Sequence, residues 1–325
     1  MDVLYSELRK YPRIFVVCDR AVEAFAGGFN RDGKLLAITA DESRKTVDSA
    51  VEICRWLLSE GADRDALVLA VGGGVTTDLA GFAASIYKRG VRYANIPTTL
   101  LCQVDAGIGG KTGANLDGYK NLLGVIRQPE FTAIFPEVLE TLPERELRSG
   151  IAEMLKTFVI KNPKSSYERA VALFSGAKEA FLHSEELPVL IQSAAGIKQA
   201  IVEKDEFESG LRRKLNLGHT WGHALEWWQK EAPGRPVFSH GEAVAIGMVQ
   251  AALFSEKLGL AEEPGLSSRM AEDLRKCGLP TELPCPEREL LPAMLKDKKA
   301  EGGQVRLVLP VKIGKAVVRK VNLNY

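Results

Sequence analysis

The stretch that most narrows the possible folds is residues 66–90, ALVLAVGGGVTTDLAGFAASIYKRG. Its apolar opening, Ala66 to Val71, has the length and composition of a strand covered on both faces. Three glycines follow, Gly72, Gly73 and Gly74, and then a run with helical character. Strand, glycine turn and helix together form an arrangement that can cradle phosphate. Bare backbone N–H groups point at an anion and the helix dipole assists. The run is not a complete GxGxxG, because Thr77 holds the last glycine position, and a tight βα turn is the plain structural alternative.

Further elements repeat the α/β alternation. RIFVVC (13–18), LLAIT (35–39) and YANIP (93–97) read as strands. Thr46 to Glu60 has helical spacing, with Val47, Val51, Cys54 and Leu58 on one face. Asp19 ends the first strand, where a carboxylate can accept ribose hydroxyls or serve as a turn cap. Little precedes that strand. Thr141-Leu142-Pro143-Glu144 reads as a capping box that opens a helix through about Ile160 and marks a domain boundary. Beyond it helical periodicity dominates to about Leu295, and a hairpin is expected over 306–310 and 315–321.

A chain of 325 residues exceeds one comfortable core, so two domains are expected. Charged residues at 26% and hydrophobic residues at 46% fit a globular chain rather than a disordered one. A formal charge of +1 gives no electrostatic case for nucleic acid or an anionic membrane. Five scattered cysteines without a CxxC fit reduced thiols in a cytoplasm. The N-terminus has no apolar signal region and no apolar run spans a bilayer.

Chemistry concentrates in residues 215–248, which hold three of the four histidines. His219 and His223 are four apart and share a helical face, so spacing alone lets both meet one metal or one substrate. Ser239-x-x-Glu242 is a second capping box and starts a helix at His240. The dipole there predicts a neutral imidazole, the metal-binding form. Glu153 and Lys156 are near neighbours on an earlier helix, and Lys198, Glu208 and Arg212 precede the histidines. Gly107 to Gly113 (GIGGKTG) misses the P-loop spacing, because Asp105 stands where a glycine is needed. It reads as a loop that offers N–H groups and Lys111 to an anion, with Lys120 and Asn121 close behind.

GGGVTTDLAGFAASIYKRG, IPTTLLCQVDAGIGGKTGAN, YKNLLG, TLPERELRSGIAEMLKT, ESGLRRKLNLGHTWGHALE, SHGEAVAIGM and DKK occur in this order. In that order they resemble the 3-dehydroquinate synthase family, over about residues 66–314. The resemblance implies a dehydroquinate synthase-like fold. Residues 1–142 would be a Rossmann-like NAD-binding α/β domain, and 143–325 a mostly α-helical domain for metal and substrate. It implies a homodimeric cytoplasmic lyase of the shikimate pathway that uses NAD+ and a divalent metal, Zn2+ or Co2+. The substrate would be a phosphorylated sugar acid, 3-deoxy-D-arabino-heptulosonate 7-phosphate, and the products 3-dehydroquinate and phosphate. Neither nucleic acid nor membrane is an implied partner.

By the same resemblance the metal ligands are Glu153, His219 and His240, which leaves His223 to face substrate. Substrate and phosphate positions fall on Arg89, Asp105, Lys111, Lys120, Asn121, Lys156, Lys198, Arg212, Asn216 and His223, with Lys298 or Lys299 of the DKK turn. Cofactor positions fall on Asp19, Glu42, Lys45, Gly73, Gly74, Asp78, Thr98, Thr99 and Thr141, with Lys111 and Lys120 shared. The implied chemistry is transient oxidation of a substrate hydroxyl, loss of phosphate, reduction, ring opening and aldol closure. Water exclusion during these steps suits a cleft between two domains. Thr77 and Ala21 depart from the family pattern, which usually has Gly and Asn there. Alternatives are another sugar phosphate cyclase such as 2-deoxy-scyllo-inosose synthase, a metal-dependent alcohol or glycerol dehydrogenase, and a non-catalytic binding protein.

Overall fold

The computed structural model describes residues 2–296 and 304–322. Lys298 and Lys299 therefore lie outside the described residues. The chain forms two compact units, Met1–Leu139 and Glu140–Tyr325.

In the first unit α1 (Asp2–Leu8) precedes β1 (Ile14–Asp19), α2 (Glu23–Gly27) and β2 (Leu35–Ile38). Then come α3 (Val47–Ser59), β3 (Leu67–Gly72), α4 (Gly74–Ile86) and β4 (Arg92–Pro97). The four strands form one parallel sheet in the order β2-β1-β3-β4. Both faces are covered, which explains why β1 and β3 read as continuous apolar runs. Phe15, Val17, Val68 and Ala70 pack on one side with α3 and α4. Val16, Cys18, Leu69 and Val71 pack on the other with α1, α2 and Phe29. The α1 helix was not expected; its Leu4 and Leu8 cover the second face.

Thr46 caps α3 by accepting from Ser49 N at 3.2 Å. The buried stripe of α3 is Ala50, Ile53 and Leu57, one position off the expected face, and Leu58 is 65% exposed. The residues Val47, Val51, Cys54 and Leu58 do share a face, but the helix turns the smaller Ala50 toward α4. Such a rotation is invisible when apolar residues occupy most positions around the helix.

After β4 the chain closes a wider π turn at Cys102–Ala106. Of the expected glycine–lysine loop, residues 107–110 are turn and bend, while Lys111–Gly113 instead begin a hairpin, β5 (Lys111–Leu116) against β6 (Tyr119–Ile126). The loop reading followed the glycines, but antiparallel pairing from Thr112 to Val125 gives this backbone its hydrogen-bond partners.

The second unit is helical: α5 (Glu144–Ile160), α6 (Ser166–Phe174), α7 (Lys178–Leu182), α8 (Glu186–Lys204), α9 (His219–Trp228), α10 (His240–Lys257), α11 (Leu266–Lys276) and α12 (Leu291–Lys296). A hairpin, β7 (Gln304–Lys312) with β8 (Lys315–Asn322), ends the described chain. The capping box expected at Thr141 does not form. Thr141 closes a 3-10 turn, and α5 starts behind Pro143, which makes no side-chain cap. The missing N–H and preset φ of proline already suit a helix entry. No helix among the described residues is long and apolar enough to cross a membrane.

The shifted face of α3 gives a direct test. Leu57→Ala is expected to destabilise the protein by about 2–5 kcal/mol in urea unfolding. Leu58→Ala should stay within about 0.5 kcal/mol of wild type.

Candidate metal centre and active site

Three helices of the second unit build the centre, and glycine governs how close they come. Gly241, at the start of α10, lies against α5: a Cβ there would fall 2.3 Å from Ser149 Cα. Gly247, further along α10, lies against the entry to α9, where a Cβ would fall 2.0 Å from Gly218 O. Polar contacts hold the same approach. Gly241 N donates to Ser149 Oγ at 2.8 Å, and Arg145 on α5 pairs with Glu242 on α10 at 2.7 Å. The capping box at the start of α10 is present in both directions, with Glu242 N donating to Ser239 Oγ and Ser239 N to Glu242 Oε2.

This packing sets Glu153, in the middle of α5, beside the first residues of α9 and α10. Glu153 is 1% exposed. Its carboxylate lies 3.2 Å from His240 Nε2 and 3.8 Å from His219 Nε2, with Lys156 Nζ at 2.6 Å. Neither oxygen receives a well-directed hydrogen bond. The carboxylate is therefore met by charge and by ring nitrogens that face it. His219 turns its Nδ1 to Leu217 O at 3.1 Å, and His240 turns its Nδ1 to Glu226 Oε1 at 3.2 Å. Both rings thus present Nε2 to the same oxygen of Glu153.

The imidazoles differ in charge preference. Burial, then the Lys156 charge and the other two imidazoles, hold His219 well below the ordinary imidazole range. Desolvation opposes charge on His240 too, but the carboxylates of Glu153 and Glu226 outweigh it and raise the ring to about 10. The expected neutral imidazole is the form a metal-bound centre requires; without a cation His240 favours its proton. Two carboxylates at hydrogen-bond range outweigh the half-charge of a helix dipole. A divalent cation bound at the centre would replace the positive charge of that ring proton.

The residues fit such a cation. Among the described residues, one ligand atom each from Glu153, His219 and His240 lies within 4.8 Å of the others. Zinc bonds of about 2.0–2.2 Å in a tetrahedron separate ligand atoms by about 3.3 Å, close to the spacings seen. One carboxylate and two imidazoles are a hard-to-borderline donor set that suits Zn2+ or Co2+, and three ligands leave positions open for substrate. His223 lies one turn along α9, its ring 5.3 Å from that of His219.

Other expected residues of this unit are buried cations or polar groups. Lys156 is 1%, Arg212 2% and Lys198 7% exposed. Asn216 donates to Glu208 Oε1 at 2.5 Å, and Arg212 donates to Glu206 O at 2.5 Å. Sequence reasoning missed Asp205, whose carboxylate accepts from the backbone N–H groups of Ser209, Gly210 and Arg212. The bond from Arg212 N, the largest of these effects, holds the carboxyl well below the usual carboxylate range. It also missed Ser149 and Glu226. Glu226 could have been found, being seven residues after His219 and so on the same helical face.

In the first unit the structure gathers part of the expected set. Lys45, 4% exposed, reaches Asp78 at 2.5 Å and Asn121 at 2.5 Å, so a residue expected at substrate joins two expected at cofactor. Glu42 accepts from Asn115 at 2.9 Å beside them. Gly73 and Gly74 open α4 without a side-chain cap, leaving first-turn N–H groups to an anion. A Cβ on Gly73 would meet Thr99 at 2.9 Å, a close cradle that fits a dinucleotide phosphate. Thr98 N donates to Gly72 O, and Thr99 Oγ1 accepts from Cys102 N. Thr77 does not enter the cradle; its hydroxyl turns back to Gly73 O and Gly74 O. Asp19 caps its own turn through Ala21 N at 3.1 Å. Asp105 is half-buried on the π turn, and Lys111 and Lys120 are exposed on the hairpin. Arg89 is exposed in a left-handed turn at the far end of α4 from Asp78. Thr141, at the start of the second unit, is exposed in its 3-10 turn.

Fold and centre together define a metal-dependent enzyme with a Rossmann-like α/β unit and a helical unit. Residues 35–149 match the model for 3-dehydroquinate synthase N-terminal, and residues 150–300 the model for 3-dehydroquinate synthase C-terminal. A 3-dehydroquinate synthase from Dictyoglomus thermophilum is 42% identical over 87% of this chain and 78% of its own length. One from Acidithiobacillus ferrooxidans is 43% identical over 87% of this chain and 76% of its own length. Among solved structures, 2-epi-5-epi-valiolone synthase from Streptomyces hygroscopicus, with NAD+ and Zn2+ bound, superimposes with a TM-score of 0.83 at 31% identity. That match covers 95% of this chain and 86% of the other. The chain belongs to the 3-dehydroquinate synthase family.

Helix approach at the centre is testable apart from its ligands. Gly241→Ala, which must push α10 off α5, is expected to weaken Co2+ binding at least about tenfold in chelator competition, the scale seen when ligand support is lost. Gly196→Ala on α8, where a Cβ meets nothing within 4 Å, should leave binding intact. It should also stabilise the protein by about 1 kcal/mol.

Proposed function

We propose that this protein is a 3-dehydroquinate synthase that releases phosphate from 3-deoxy-D-arabino-heptulosonate 7-phosphate with catalytic NAD+ and a divalent metal, Zn2+ or Co2+. The observation that carries this reading is the Glu153–His219–His240 centre, built on a buried carboxylate, in a chain that matches the family models in both halves.

A divalent metal held by Glu153, His219 and His240 would polarise a substrate hydroxyl and favour loss of its proton. NAD+ held by residues 1–142 would accept a hydride and return it, so it would not be consumed. Gly73, Gly74, Thr98 and Thr99 would bind its phosphates, and Asp19, Glu42, Lys45, Asp78 and Thr141 its remaining polar groups. Lys156, Lys198 and Arg212 would bind the anionic groups of the substrate, because cations freed from water attract anions strongly. Arg89, Lys111, Lys120 and Asn121 would contribute from the α/β unit, with Asp105 orienting a hydroxyl. Asn216 and His223 would hydrogen-bond the substrate in the helical unit, residues 143–325. The departing phosphate would serve as its own base, which asks the protein for positioning more than for a strong base. The proposal includes a homodimer in the cytoplasm.

Two experiments test it. Incubated with the heptulosonate phosphate, NAD+ and Co2+, the enzyme should release phosphate over many turnovers without accumulating NADH absorbance. NADH build-up equal to product would place the chain with the dehydrogenases. His219→Ala should lose bound metal and turnover together, measured after dialysis. His223→Ala should keep about one metal per chain while turnover falls by about 10²–10⁴-fold. Loss of metal from both variants would make the histidine pair a joint metal clamp.

A further inference from the structure

Both histidine ligands are fixed by a bond at Nδ1, but the acceptors differ in kind. His219 bonds a neutral backbone carbonyl, Leu217 O, at 3.1 Å. His240 bonds a carboxylate, Glu226 Oε1, at 3.2 Å. Glu226 is itself 7% exposed and projects from α9, the helix that begins with His219. One helix therefore supplies a ligand to the centre and also supports a ligand from its neighbour α10. Helical spacing allows this, because positions seven apart lie on one face.

We infer that Glu226 is a positioning residue for the metal centre: it holds His240 as the Nδ1–H tautomer and keeps its Nε2 aimed at the metal. An ionised carboxylate only accepts, so the proton of the bond must sit on Nδ1. That leaves the Nε2 lone pair for a cation. The carboxylate also adds a negative charge one bond removed from the centre, which strengthens His240 as a donor beyond what a carbonyl does for His219. Through Glu226 the centre has a second carboxylate, placed behind its three ligands. The inference rests on Glu153, His219 and His240 as the metal-binding set.

Glu226→Gln keeps the size and an acceptor oxygen but removes the charge, and Glu226→Ala removes both. The probe is Co2+, whose affinity is read by competition with a coloured chelator and whose ligand field is read in the visible spectrum. Loss of such a partner weakens metal binding about 10–100-fold, so Gln is expected near the low end and Ala near the high end. The visible bands of the Co2+ form should shift in Glu226→Gln. The metal-free Gln variant should keep cooperative unfolding and the near-ultraviolet spectrum of the folded protein, so that its lower affinity is not a loss of fold. Wild-type affinity and spectrum in Glu226→Gln would overturn the inference, as would a lowered metal-free melting temperature with unchanged affinity. His219→Ala is the control. If it loses Co2+ while Glu226→Gln binds normally, only the role of Glu226 falls. If it binds Co2+ as wild type does, the metal set falls and the inference with it.

Discussion

A carboxylate that is 1% exposed has to be answered by positive charge, and much of the helical unit follows from how Glu153 is answered. Left alone in such a place it would cost several kcal/mol or take up a proton. Lys156 on the same helix supplies one cation at 2.6 Å, and the two imidazoles face the carboxylate from α9 and α10. The raised affinity of His240 for its proton has the same origin. The same carboxylate and imidazoles form a donor set that can hold a divalent cation. Buried charge of this kind is poor stabilisation and good specification, because its members must meet in one arrangement.

That arrangement depends on backbone approach more than on side-chain fit. Ser149 and Gly241 touch where α5 passes α10, and Gly218 and Gly247 touch where α10 passes the entry to α9. At wider crossings the imidazoles at the start of two helices would stand further from the carboxylate in the middle of the third. The small residues therefore act on chemistry without bearing a reactive group. The same holds in the α/β unit. There Gly73 and Gly74 leave the start of α4 uncapped, while Thr77, the bulkier departure from the family pattern, folds its hydroxyl back onto its own helix.

How much of this the chain reveals before folding depends on whether a feature is local. The buried strands were legible because both-face burial writes itself as an unbroken apolar run, as in Ala66 to Val71. The capping box at Ser239 was legible because both of its bonds lie within four residues. The similar-looking Thr141–Glu144 failed because a proline next to the helix start offered another entry. The stripe of α3 was misplaced by one position, since apolar residues surround most of that helix and only the neighbouring α4 selects the face. The Lys111–Gly113 end of the GIGGKTG stretch looked like loop because its pairing partner, Tyr119–Ile126, carries no strong alternation of its own.

The metal centre shows the limit most clearly. Spacing along one helix draws attention to His219 and His223, which share a face and sit with ring centroids 5.3 Å apart. The donor atoms that converge belong instead to three helices, and His240 joins them only because α10 begins where α5 and α9 meet. Periodicity relates residues within an element and says nothing of where the element is laid. A family resemblance carries that missing information, since it transmits a three-dimensional arrangement through residues distant in the chain. What it does not transmit is the electrostatic state. A helix start argues for neutral imidazole, but while no cation is bound the pair of carboxylates around His240 favours its proton, and that pair exists only once the helices have packed.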